Sequence, residues 1–237
     1  MIAVEDLVCA FGDIVALNEI SVTIEDGSFV VLTGPNGSGK TTLVRHFNGL
    51  LEPDAGSVTV DGHDVLTEPV AVRTSVGMVF QQPRDQFVAS TVAADVAFGP
   101  ENLGLDREDI ERRVRRALDA VNLVEKRDAR IESLSGGEQA RLAIAGALAM
   151  EPAYLVLDEP FASLDEPARQ SVLDRLCALH ERGTGVIVVT HDLRGVLDPA
   201  DRLLGMADGN LVADAPAEDA SRVLDDLDVY LPPPSEW

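Results

Sequence analysis

Lysine is nearly absent from this chain, occurring only at Lys40 and Lys126, while Asp and Glu together number 41. Lys and Arg together number 19, leaving a formal charge of −22. The carboxylates are spread along the chain rather than gathered in a tail. A diffuse acidic coat with so little lysine suits a salt-rich cytoplasm, where screening removes the self-repulsion. The shortage of cations argues against general nucleic-acid binding, because phosphate contacts need basic patches. With only two cysteines, Cys9 and Cys177, no disulfide framework is expected, which fits a reducing interior. No apolar run approaches the ~18 residues that span a bilayer, and the N-terminus lacks the regions of a signal peptide. Any membrane connection is therefore expected to run through a partner. Repeats, low-complexity segments and heptad runs are also missing. What is present, 237 residues with 46% hydrophobic side chains, suffices for one large α/β domain with a helical insertion.

The most informative stretch is Gly34-Pro35-Asn36-Gly37-Ser38-Gly39-Lys40-Thr41, with Thr42 behind it. It matches G-x-x-x-x-G-K-[ST], the phosphate-binding P-loop. Glycines let successive backbone N–H groups turn inward around an anion. Lys40 offers a point charge for the β- and γ-phosphates, and the Thr41 hydroxyl suits Mg²⁺. Phe29–Thr33 reads as a buried strand running in and Thr42–Phe47 as a helix running out, so the phosphates meet a helix N-terminus. The motif predicts a nucleoside triphosphate site.

Residues 1–27 alternate as short antiparallel strands, joined later by Ser57–Val60. Phe11 sits by a turn, where an aromatic is either core or a platform for a base. Val76–Phe80 predicts a strand ending at Gln81. From about Arg84 to Met150 the pattern turns helical, with Ile110, Val114, Leu118 and Val121 on one face. Arg112, Arg113, Arg115 and Arg116 are expected to form a solvated opposite face. Ser135 and Glu138 form a capping box, and Ser135, Gly136 and Gly137 expose a second helix N-terminus able to hold phosphate. Tyr154–Leu157 runs as a buried strand into Asp158 and Glu159. There a carboxylate pair can serve a hydrated Mg²⁺ and polarise an attacking water. Asp165, after Ser163-Leu164, is a helix N-cap or a functional acid. A further strand, Val186–Thr190, ends at His191. Asn210–Val212 predicts an edge strand, Ala217–Leu227 a short acidic helix, and Pro232-Pro233-Pro234 ends regular structure. Four apolar runs thus end in a P-loop, a glutamine, an Asp-Glu pair and a histidine, as in a parallel sheet with its ligand crevice at the carboxyl ends.

In this order the motifs resemble the ATP-binding cassette ATPases over nearly the whole chain, Leu134-Ser135-Gly136-Gly137-Glu138-Gln139 being the family's signature. The resemblance implies an α/β fold: a P-loop core with a parallel sheet (about 1–83 and 151–237), an N-terminal antiparallel β subdomain and an inserted helical subdomain (about 84–150). It implies ATP and Mg²⁺ as ligands. Phe11 stacks on adenine, residues 34–42 hold phosphates, and Thr41, Gln81 and Asp158 serve the metal. Ser135, Gly136, Gly137 and Glu138 belong to the signature that meets the ATP of an opposite subunit, and Asp165 communicates between the two sites. By the same resemblance Glu159 is the general base or water-positioner and His191 the switch histidine. The implied working form is a head-to-tail dimer closed on two ATP.

A narrower likeness runs through Val76–Phe87, Ala97–Leu105 and Ile144–Met150. These segments resemble the ATPases of energy-coupling-factor importers for cobalt, nickel, biotin and other vitamins. That implies a second ATPase subunit, identical or related, and both a transmembrane scaffold subunit and a substrate-binding membrane subunit. The place of work would be the cytoplasmic face of the membrane. The alternatives left open are a soluble cassette ATPase, for example in iron–sulfur assembly, and the ATPase of another transporter class.

Overall fold

The structure, a computed structural model, describes residues 1–162 and 164–224. Ser163, the end of the expected acidic helix (225–227) and Pro232–Pro234 lie outside the described residues.

Two sheets organise the chain. The first is antiparallel, with β1 (Ile2–Phe11), β2 (Ile14–Ile24), β4 (Ala55–Val60) and β5 (His63–Asp64) in the order β2-β1-β4-β5. Strict alternation from Ile2 and Val4 would bury Asp6. Instead the register shifts between Val4 and Leu7, with Asp6 at φ 45°, and Leu7 and Cys9 take the inner face. A bulge of this kind resets which side chains face the core.

The second sheet has the order β10-β9-β3-β8-β7-β6. Its strands β3 (Phe29–Thr33), β6 (Val76–Val79), β7 (Tyr154–Asp158), β8 (Gly185–Val189) and β9 (Arg202–Ala207) are parallel, and β10 (Asn210–Pro216) is an antiparallel edge. Every residue of β3, β7 and β8 is buried, because both faces are covered. Val30, Leu32, Val156, Ile187 and Val189 pack towards the antiparallel sheet and α1 (Lys40–His46), in a core that also takes Val72 of α2 (Pro69–Ser75). Their neighbours Phe29, Val31, Leu155, Leu157, Val186 and Val188 pack on the other side. That side carries α3 (Val92–Asn102), α4 (Arg107–Ala120), α5 (Gly136–Leu148), α6 (Glu166–His180) and α7 (Ala220–Val223). The fold is the α/β class expected, with a parallel core, an antiparallel β subdomain and a helical insertion.

Three details differ from the expectations. Strand β9 was not anticipated; it lies between β3 and the edge strand, which itself runs on to Pro216. Residues 217–223 form a 3₁₀ turn followed by α7 rather than one continuous helix. Arg113 does not share a solvated face with its neighbours. Its Nη1 donates to Ala149 O at 3.4 Å and Met150 O at 3.1 Å, and its Nη2 pairs with Glu151 at 3.1 Å. Just past α5 those carbonyls form the negative end of the helix, which attracts a cation.

Inside the core, His46 is fully buried, with Nδ1 2.8 Å from Thr42 O. Burial pushes its imidazole below the usual histidine range, outweighing the backbone contacts that favour the charged form. The unfolded chain takes up a proton below about pH 6.5, while native His46 resists it. Its contribution to stability is therefore present above that pH and lost as pH falls towards the native value. Denaturation midpoints at high salt should drop more steeply from about pH 7.5 to about pH 5.5 in the wild type than in His46→Gln. Equal slopes would remove His46 from the acid response.

Candidate active site

The carboxyl ends of β3, β6, β7 and β8 open on one side of the parallel sheet, as their shared direction requires. β3 leads into the P-loop, where Gly34, Gly37 and Gly39 have φ of 143°, 82° and 101°. Gly39 is also held tightly by its surroundings: a Cβ there would come within 2.6 Å of Ala16 O on β2. Thus the antiparallel sheet buttresses the loop, and Phe11, 53% exposed at the end of the β1–β2 hairpin, stands free to offer its ring.

Lys40 is buried at the start of α1, its Nζ donating to Gly34 O at 2.7 Å and Pro35 O at 2.8 Å. Burial pushes its ammonium pKa down, opposed by the negative charges of Glu159 and Asp158. A buried cation that bonds to neutral carbonyls fits a loop shaped around an anion. Thr41 Oγ1 donates to Asp158 Oδ1 at 3.1 Å. Asp158 is 2% exposed, and burial raises its carboxyl pKa, as does the charge of Glu159; the Thr41 bond and the cations Arg45 and Lys40 oppose this. A hydroxyl and one carboxylate are hard oxygen donors of the kind Mg²⁺ takes when phosphates and water complete its shell. Among the described residues no group of three or more His, Cys, Asp or Glu side chains is arranged for a metal.

Glu159 follows directly, at φ 49°, an uncommon conformation for a residue with a side chain. Its N–H donates to Val189 O at 2.8 Å, tying it to the end of β8. Oε1 accepts from the His191 N–H at 3.2 Å and lies 2.8 Å from His191 Nδ1, while Oε2 accepts from Thr190 Oγ1 at 3.2 Å. Adjacent strands β7 and β8 thus deliver a carboxylate and an imidazole into hydrogen-bond contact. Thr190 was not singled out in the sequence; as the residue between a buried strand and His191 it carried only a weak signal.

Across from these lies a cleft of about 470 Å³, lined among others by Gln81, Arg84, Gly136, Gln139, Glu159 and Leu164. It separates the parallel core from α5. Ser135 is the N-cap of α5, accepting from the Glu138 N–H at 3.3 Å while Glu138 accepts from the Ser135 N–H at 2.9 Å. Glu138 also pairs with Lys126 at 3.2 Å, so its carboxylate shapes and braces the helix start. A Cβ on Gly136 would meet nothing within 4 Å, whereas one on Gly137 would lie 3.3 Å from Ala168 Cβ. Gly136 is open and Gly137 is packed against α6. Asp165 caps α6 by accepting from the Ala168 N–H at 3.0 Å. The structure thus gathers the P-loop, Asp158, Glu159 and His191 at one sheet end, and sets Gln81 and Gly136 on the walls of the adjoining cleft.

The family model for ABC transporters matches residues 17–162. The chain belongs to the ABC transporter family. A protein of Halobacterium salinarum, provisionally named an ABC transporter ATP-binding protein, is 60% identical over 232 residues, 98% of this chain and 100% of that one. The cobalt import ATP-binding protein CbiO of Syntrophus aciditrophicus is 49% identical over 201 residues, 84% of this chain and 71% of that one. Among solved structures, a dimeric ATP-binding cassette in a post-hydrolysis state bound to ADP and Pi superimposes with a TM-score of 0.82 at 28% identity. The match covers 92% of this chain and 99% of that one. This cassette is an ATP-binding subunit that hydrolyses ATP. The salt-adapted reading of its acidic surface agrees with the Halobacterium relative.

Proposed function

We propose that this cassette is the ATPase of an energy-coupling-factor importer, closing head to tail with a second ATPase on two ATP molecules. The observation that carries the dimeric reading is the pair of phosphate-competent elements. One is the P-loop beside Asp158, Glu159 and His191; the other is the α5 start, where Gly136 opens onto empty space. A helix start with exposed N–H groups is suited to an anion brought by another subunit. The dimeric relative bound to ADP and Pi supports that arrangement. The cobalt import relative and the segments Val76–Phe87, Ala97–Leu105 and Ile144–Met150 support uptake of a micronutrient, a metal ion such as cobalt or nickel or a vitamin.

In this reading Phe11 stacks on the adenine, residues 34–42 cradle the phosphates and Lys40 exchanges its carbonyl partners for phosphate oxygens. Thr41, Asp158 and Gln81 would hold Mg²⁺, which would neutralise phosphate charge. Glu159 accepts the proton of the attacking water, with His191 fixing its carboxylate and touching the γ-phosphate. Ser135, Gly136 and Gly137 hold the γ-phosphate of the opposite subunit's ATP, Glu138 maintains their geometry, and Asp165 lies where the two sites meet. Reopening after hydrolysis moves the helical subdomain (about 84–150) against the core (about 1–83 and 151–237). A transmembrane scaffold and a substrate-binding membrane subunit receive that motion at the cytoplasmic face. Among the described residues no helix is long and apolar enough to cross a membrane, so partners would supply the span.

Gly136→Asp tests the shared site. The new side chain has room, so folding and P-loop nucleotide binding should persist while hydrolysis and ATP-dependent association are lost through repulsion of phosphate. Mixing Gly136→Asp with Lys40→Ala should restore part of the hydrolysis in a homodimer, because one site per mixed pair is intact. No recovery, with no ATP-dependent association of the wild type, would contradict the homodimeric form.

A further inference from the structure

Arg169 is 7% exposed although it lies on α6, a helix whose sequence reads as having a charged outer surface. A buried guanidinium needs partners, and here they come from two separate loops. Its Cζ sits 4.5 Å from the centroid of the Phe161 ring, two residues beyond Glu159. Its Nη1 donates to Asp192 Oδ2 at 3.4 Å, and its Nη2 donates to Asp192 O at 3.5 Å and to Arg194 O. Asp192 is the residue after His191, and its carboxylate is further engaged by Arg194 Nε at 2.9 Å. The helix that carries Arg169 is capped by Asp165, and the Arg169 N–H donates to Asp165 O at 2.9 Å.

These contacts close a ring. Glu159 joins Phe161 through the chain, Phe161 stacks on Arg169, Arg169 holds Asp192, and Asp192 adjoins His191, which returns to Glu159 at 2.8 Å. We propose that Arg169 is a positioning residue of the ATPase reaction, clamping the turn after Glu159 to the loop that carries His191. The inference rests on the roles given above to Glu159 and His191, and goes beyond them by naming what keeps the pair in register. It also joins Asp165 to the same clamp, so that displacement of the α6 start reaches the Glu159–His191 contact through one side chain. The planar guanidinium suits this place because it can lie against an aromatic face while its edge donates to several acceptors in a fixed fork, whereas an ammonium is a compact point charge without that fork.

Arg169→Met keeps the aliphatic bulk and removes the stacked cation. In ATPase assays at high salt, kcat should fall roughly 10–100-fold, the cost of a small misplacement of reacting groups, while the KM for ATP stays close to wild type. Arg169→Lys should recover part of kcat through Asp192 and not reach the wild type. Phe161→Leu, which leaves the Arg169–Asp192 pair in place, should lower kcat in the same direction. The Arg169→Met/Phe161→Leu double variant should lose less than the product of the single losses, since both break one ring. Wild-type kcat in Arg169→Met would overturn the proposal. So would parallel loss of kcat, ATP affinity and thermal stability with no recovery in Arg169→Lys, which marks a structural role only. If Arg169→Met fails to fold, wild-type kcat in Phe161→Leu overturns the clamp. Glu159→Gln in the same assay keeps the two levels apart. Activity in that variant removes the assignment on which the inference rests, whereas an inactive Glu159→Gln beside a fully active Arg169→Met removes the clamp alone.

Discussion

Glu159→Gln should lower ATP turnover by about 10²–10⁴-fold, the usual contribution of a positioned base, while leaving ATP binding intact. The substitution is nearly isosteric, and the surroundings explain why binding survives. The backbone at Glu159 is held by Val189 O at 2.8 Å, and an amide oxygen can still accept from the His191 N–H that now lies 3.2 Å from Oε1. What is lost is the negative charge and the capacity to take a proton from water. If the proposed dimer is reset by hydrolysis, the closed form should accumulate with ATP, visible as a shift from monomer to dimer mass in light scattering. The phosphate-release rate and a direct nucleotide titration separate the two effects. A turnover rate close to wild type would remove Glu159 from the role of base.

Lys40→Ala acts at the opposite end of the cycle. Its ammonium bridges Gly34 O and Pro35 O at 2.7 and 2.8 Å, holding the loop in a shape that already suits phosphate. Removing it deletes a charged donor, worth about 1.5–3 kcal/mol, so the Kd for ATP should rise roughly 10- to 100-fold. The nearby Asp158 and Glu159 then face the incoming polyphosphate without the Lys40 charge between them, which adds to the loss. Isothermal titration with a non-hydrolysed ATP analogue in high salt measures this directly. Unchanged affinity would mean that Lys40 makes no contact with bound nucleotide.

Much of the core was legible because parallel strands covered on both faces must be continuous apolar runs. Phe29–Thr33, Tyr154–Leu157 and Val186–Thr190 could be read for that reason, and they run in turn into the P-loop, the Asp158–Glu159 pair and His191. Strand β9 was less legible: Gly205 interrupts Leu203, Leu204 and Met206, and an acidic turn precedes it. Its place between β3 and β10 depends on long-range pairing that no local pattern carries.

Arginine was the other blind spot. Arg113 and Arg169 sit at helical positions that composition assigns to solvent, yet one reaches the carbonyls beyond α5 and the other is sandwiched between Phe161 and Asp192. A long side chain with a planar charged end can turn inward when an aromatic face or bare carbonyls await it, and only the tertiary fold says so. The contact between Glu159 and His191 was hidden in the same way. The two residues are distant in the chain and meet only because β7 and β8 are neighbours in the sheet.

The most direct test of the account is recovery of the tagged wild-type protein from detergent-solubilised membranes at high salt, followed by mass spectrometry of its companions. The account predicts an ATPase dimer, of this chain or of this chain with a related one, together with a multi-span scaffold and a small substrate-binding membrane protein. Recovery from the soluble fraction alone, with no membrane protein attached, would contradict the importer reading while leaving the ATPase in place.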